Sequence, residues 1–110
     1  MNIFAALHLS SAMLMLGISY LYLRFPPKEI NSVYGYRTSR SMRSIDAWKL
    51  ANSFSARMMF ILACALVPVQ GILYVAVDEE TSLLAYCVIL CLGLIALIPL
   101  TEKHLKKNGF

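Results

Sequence analysis

The stretch Tyr34-Gly35-Tyr36-Arg37-Thr38 has residue types and spacing that could do chemistry. Its glycine permits a tight or positive-φ turn, and its tyrosines can lie at the headgroup level with their hydroxyls toward water. Arg37 would project a bidentate donor from that turn, suited to a carboxylate, a phosphate or a lipid headgroup. The stretch lies inside residues 24–53, which read RFPPKEINSVYGYRTSRSMRSIDAWKLANS. A connection of this length is either disordered or functional. Aromatic, glycine and amide residues interleaved with the charges are not the composition of a solvated linker.

Phe25-Pro26-Pro27 forces an extended exit from whatever precedes it, since each proline also restricts the residue before it. From Ser41 to Asn52 the pattern turns helical, with Met42, Ile45, Trp48 and Asn52 recurring at three- and four-residue steps. Ser41 is the expected N-cap and Trp48 the expected membrane-interface anchor. Asn52, four residues on from Trp48, could bind loop backbone with its amide. Arg40, Arg43 and Lys49 are available to anionic lipid.

The elements that must hold this loop are membrane-spanning helices. Hydrophobic residues make up 59% of the 110-residue chain and charged residues only 15%, far from a soluble balance. Three apolar runs, at about 3–23, 54–77 and 82–100, each suffice to cross roughly 30 Å of hydrocarbon. The first has no basic residue before it and Arg24 directly after it, so it reads as a retained helix and not as a signal peptide.

The ten Lys and Arg residues fall in two groups, one from Arg24 to Arg57 and one at Lys103, Lys106 and Lys107. The positive-inside rule then puts the N-terminus outside, residues 24–53 inside, the Asp78-Glu79-Glu80 turn outside and the C-terminus inside. The expected fold is therefore an all-α integral membrane protein. It is a single domain of three transmembrane helices plus a cytoplasmic interfacial loop and helix. Basic residues that all flank apolar runs do not make a nucleic-acid surface.

The apolar runs carry few polar groups. Pro68 should bend the second span, with Gln70 just beyond it satisfied against a neighbouring helix. His8 lies near the outer end of the first span, within reach of interfacial water, and Pro99 reads as punctuation after the third. Cys87 and Cys91 share a helix face and read as a small-residue packing seam; a disulfide framework is not expected. The Asp78-Glu79-Glu80-Thr81 turn makes the second and third helices antiparallel neighbours.

Pro27, Ile30-Asn31, Tyr34-Gly35-Tyr36-Arg37-Thr38, Ser41-Met42, Trp48 and Ala51-Asn52, in this order and spacing, resemble the signature of the SdpI family of bacterial membrane immunity proteins. Glu102, just past the third span, resembles a glutamate that closes the family's pattern. The resemblance implies a multi-pass protein of the bacterial cytoplasmic (inner) membrane. It also implies protection of a producing cell against a secreted, membrane-active toxic peptide, or a sensor's link to a membrane-held regulator. Carried over residue by residue, it marks Asn31, Tyr34, Gly35, Tyr36, Arg37, Thr38, Ser41, Trp48, Asn52 and Glu102 as binding positions. The family's better-known members have additional helices, whereas this chain has three.

Arg37 and Glu102 are both expected on the cytoplasmic side, so a guanidinium-carboxylate contact could tie the loop to the base of the third helix. An interfacial enzyme acting on a peptide or lipid headgroup is the alternative function, with Glu102, Arg37, Asn31 and tyrosine hydroxyls as an acid-base site. Against it, the sequence shows no Ser-His pairing, no HExxH and no CxxC. His104, two residues after Glu102, does not share its face, so no metal or other cofactor is expected. A transporter component would need an oligomer. Ala6 and Ser10, or Cys87 and Cys91, permit a homodimer.

Overall fold

The computed structural model describes residues 2–110, and they form three α-helices joined by one long and one very short connection. Helix α1 is Ile3–Arg24, α2 is Ile45–Ala76 and α3 is Glu79–Lys107. All three are long and apolar enough to cross a membrane, and no strand occurs among the described residues. The molecule measures 48 × 23 × 19 Å. At 1.5 Å per residue, α2 and α3 are each longer than the roughly 30 Å of hydrocarbon, so both run on beyond their apolar stretches.

Burial is inverted relative to a soluble protein. Met13, Leu14, Ile72, Val75, Leu84 and Leu92 point outward, while His8, Ser19, Asn52, Ser55, Gln70, Ser82 and Thr101 are buried. Lipid tails are as apolar as leucine, so nothing drives leucine inward. Helices associate instead through small residues that let backbones approach and through polar groups that bond across the seam. Ala47, Ala51, Ala56 and Ala63 supply the small surface of α2. Gly93 of α3 serves the same end, because a Cβ there would sit 2.8 Å from Leu62 Cδ1.

Each helix begins on a side-chain cap. Asn2 Oδ1 accepts from Ala5 N, Ser44 Oγ from Ala47 N, and an Asp78 carboxylate oxygen from Thr81 N. Those Thr81 hydrogen bonds hold the Asp78 carboxyl below its ordinary value. The cap is therefore present above the usual carboxylate range and is lost as pH falls through the lowered value. α3 ends in a Schellman turn: Gly109 takes φ +89, Gly109 N donates to Lys106 O and Phe110 N to Leu105 O.

Three sequence expectations shift. The helix expected to start after Ser41 starts at Ile45 on Ser44, and it runs without a break into the second span. Ser41 instead closes a turn with Thr38, where its hydroxyl accepts from Thr38 N at 2.9 Å. Pro99 does not end α3, which continues to Lys107 because the loop and α2 pack on that extension. Cys64, Cys87 and Cys91 are exposed, so Cys87 and Cys91 form no seam within this bundle.

Ser44→Ala should cost about 1 kcal/mol of local helix stability. The expected readout is several-fold faster hydrogen exchange at the Ala47 amide, with Ser41→Ala leaving that amide unchanged.

Candidate functional site

The loop over residues 25–44 has almost no regular structure, yet nearly every turn of it is bonded to something fixed. Pro27 is buried, and its carbonyl accepts from Trp48 Nε1 at 2.8 Å. Asn31 Oδ1 accepts from Val33 N and Tyr34 N, an Asx turn that starts the reversal. Gly35 then takes φ +109, the positive value expected of it. A Cβ at Gly35 would lie 2.5 Å from Asn52 Oδ1 and 2.7 Å from Pro27 Cγ, so the backbone presses directly on α2.

Asn52 is the receiving point. Its Oδ1 accepts from Tyr36 N at 2.6 Å and from the Tyr22 hydroxyl at 2.7 Å, and its Nδ2 donates to Trp48 O at 2.9 Å. One buried amide thus joins α1, α2 and the loop. Trp48 is fully buried here and is not the lipid-facing interface anchor expected of it; its indole N–H is committed to Pro27. The tyrosine hydroxyls are also committed to protein acceptors, since the exposed Tyr34 donates to Phe25 O while Tyr36 donates to Ile98 O and Glu102 Oε1.

Glu102 is where the loop meets α3. Its Oε1 accepts from the Tyr36 hydroxyl at 3.1 Å, and its Oε2 lies 3.0 Å from Arg40 Nε. The cation is Arg40 and not Arg37, which is exposed and makes no ion pair among the described residues. The Thr38–Ser41 turn explains the exchange, because it carries the chain round so that Arg40 faces α3 and Arg37 faces away. Burial, and then the Glu102 carboxylate, push the Tyr36 phenol above its ordinary range. It therefore remains a neutral O–H donor to that carboxylate at any physiological pH.

Two oxygens at this end keep unspent bonding capacity. Glu102 Oε2 is sealed from solvent and receives no well-aligned hydrogen bond, despite its ion-pair contact, and Thr101 Oγ1 is buried without a partner. Phe54 stacks on His104 at 4.2 Å and steadies α3 beside them.

Of the ten binding positions expected from sequence, Tyr36, Thr38, Ser41, Trp48, Asn52 and Glu102 are linked by hydrogen bonds, Gly35 packs on Asn52, Asn31 and Tyr34 bond within the loop and to Phe25, and Arg37 lies outside. Arg40, read from the sequence as available to anionic lipid, makes the Glu102 contact expected of Arg37.

A second polar cluster occupies the far end. His8 does not reach interfacial water but is buried, with Nε2 2.9 Å from Ser82 Oγ. Gln70 Nε2 donates to His8 O at 2.9 Å and lies 3.0 Å from His8 Nδ1. A Ser-His pair therefore exists in space that sequence spacing hid. Its tautomer is wrong for a general base: Gln70 must donate to Nδ1, so the proton sits on Nε2 and points at Ser82, whose hydroxyl donates to Glu79 O at 2.8 Å. Ser11 and Tyr86 extend the cluster with a 2.6 Å hydroxyl pair. No group of metal-binding side chains occurs among the described residues.

An inverted interior, three apolar helices and a bonded loop over one end define a multi-pass helical membrane protein. The model of the SdpI/YfhL protein family matches residues 28–101, and the chain belongs to that family. It is also 42% identical over 96 residues to the uncharacterized protein YfhL of Bacillus subtilis (strain 168), a match covering 84% of this chain and 80% of the relative. No solved structure matches it. The matched segment holds every candidate position except Glu102, which follows it by one residue.

Asn52→Ala leaves the Tyr22 hydroxyl and the Tyr36 amide unpaired, a loss of about 2 to 5 kcal/mol. A lower thermal midpoint in detergent micelles is expected, together with protease cleavage within residues 28–43. For the far cluster, ¹⁵N shifts of His8 should report the neutral Nε2–H form; an Nδ1–H signal would reverse the hydrogen-bond assignment.

Proposed function

We propose that this protein protects the membrane of its cell against a membrane-active toxic peptide, or senses one, through the polar site where the loop meets α3. Family membership supports an SdpI-like role. The carrying observation is the Tyr36–Glu102–Arg40 assembly, a carboxylate in a largely dry setting that keeps one oxygen without an aligned donor. A membrane-active peptide brings backbone N–H groups to this depth, and such donors complement that oxygen.

The proposed setting is the bacterial cytoplasmic membrane, with the N-terminus and the Asp78 turn outside and the loop and C-terminus inside. The Arg40–Glu102 contact supports it, because it brings the loop and the C-terminal part of α3 to one end of the bundle. That end then collects all the Lys and Arg residues, as the positive-inside rule requires of a cytoplasmic face. The alternative of an interfacial enzyme would use Glu102 as its acid-base group. Among the described residues only the His8–Ser82 pair resembles a nucleophile and its base, and that pair lies at the other end in the unproductive tautomer.

Glu102→Ala and Arg40→Ala should each lower the survival of toxin-challenged cells at least about tenfold at unchanged membrane levels, the loss of one charge-assisted contact. Arg37→Ala should protect as well as the parent. Full protection by both Glu102→Ala and Arg40→Ala would overturn the site.

A further inference from the structure

Beside the Tyr36–Glu102 contact lies a cavity of about 340 Å³ lined by Thr38, Ser39, Arg40, Arg43, Glu102 and Lys106. Its walls come from two separate elements, the loop turn on one side and the C-terminal part of α3 on the other. The turn is pinned, since Ser41 N donates to Thr38 Oγ1 and Met42 N to Thr38 O. On α3, Glu102 and Lys106 stand four residues apart and so share a face. Three cations therefore meet one side-chain carboxylate, and positive charge is in excess in the cavity wall.

Arg40 is the fixed member. Its Nε is at Glu102 Oε2, and its Nη1 donates to Phe110 O at 2.6 Å, where the Schellman turn has aimed that carbonyl. A guanidinium offers five N–H donors, so this anchoring leaves others open while holding its plane still. Arg43 and Lys106 make no ion pair among the described residues. Thr38 and Ser39 add hydroxyl donors to the same wall.

We infer that this cavity is a phosphate-binding site. A phosphate brings up to two negative charges and several acceptor oxygens, which matches two free cations, an anchored guanidinium and two hydroxyls; a carboxylate would leave donors unused. The depth also fits. The apolar run of α3 ends at Leu100, and the cavity begins at Glu102, where a bilayer's headgroup phosphates lie. The cavity shares Arg40 and Glu102 with the proposed protection site, and Arg43 and Lys106, which take no part in the Tyr36–Glu102–Arg40 assembly, are the residues whose variants separate the two readings.

The test uses the full chain purified in a zwitterionic detergent, its thermal midpoint followed with phosphatidylglycerol, with phosphatidylcholine and with inorganic phosphate. Phosphatidylglycerol should raise the midpoint by several degrees and phosphatidylcholine should not. An equal rise with inorganic phosphate identifies a soluble phosphate as the ligand; a rise confined to the lipid identifies a headgroup. In the Arg43→Gln/Lys106→Gln double variant the rise should vanish at an unchanged starting midpoint, and either single variant should reduce it. Arg37→Gln, which removes a charge outside the cavity, should retain it. No rise with either phosphate source, an equal rise with phosphatidylcholine, or equal losses in Arg37→Gln and the double variant would overturn the site.

Discussion

A side-chain amide buried at the mouth of a membrane bundle must find all its partners or cost several kcal/mol, and Asn52 finds them in three different parts of the chain. Both lone pairs of its oxygen are taken, by the Tyr22 hydroxyl from α1 and the Tyr36 amide from the loop. The geometry has little slack, because Gly35 passes so near the same oxygen that a Cβ would overlap it. Position 36 is therefore set by α2 and not by the loop's own preferences. Once Tyr36 is fixed, its phenol reaches α3, and the Glu102 carboxylate gains a donor that stays neutral. The candidate site is thus a consequence of how one asparagine is satisfied.

This arrangement also explains why a loop with so little regular structure can hold a site. In water such a segment would exchange its hydrogen bonds with solvent at little cost. Here the bonding groups lie on helices whose opposite faces are committed to lipid, and opening the loop would strip the buried Trp48 indole N–H of its Pro27 acceptor and the Asn52 oxygen of the Tyr36 amide. The loop is ordered less by its own contacts than by the cost of uncovering the α2 surface beneath it.

The spans and the positive φ at Gly35 were legible in the sequence, because apolar run length and residue type are local properties. What was not legible depended on which way side chains turn. Trp48 was expected to face lipid, a role that its residue type favours at an interface, yet a proline carbonyl 21 residues earlier captures it. Arg37 and Arg40 are indistinguishable as charges, and only the Thr38–Ser41 turn selects between them. His8 and Ser82 are 74 residues apart, so no spacing rule could pair them. The residual signal was weak but present: His8 with Ser11, Gln70 with Tyr74 and Ser82 with Tyr86 each place two polar residues on one helix face within an apolar run.

The two polar ends differ in kind, and that difference bears on where function resides. At the far end both His8 ring nitrogens and the Ser82 hydroxyl are engaged, in a chain of donors whose direction is set by Gln70. A network closed in this way holds three helices in register. At the loop end the bonding is left incomplete: Glu102 Oε2 and Thr101 Oγ1 are buried without aligned partners, and Arg43 and Lys106 face a cavity with no carboxylate of their own. Incomplete satisfaction is costly in a protein interior and persists where something other than folding requires it. The closed cluster therefore serves assembly of the bundle, and the open one is where the proposed protection site lies. That division holds whichever face of the membrane each end occupies.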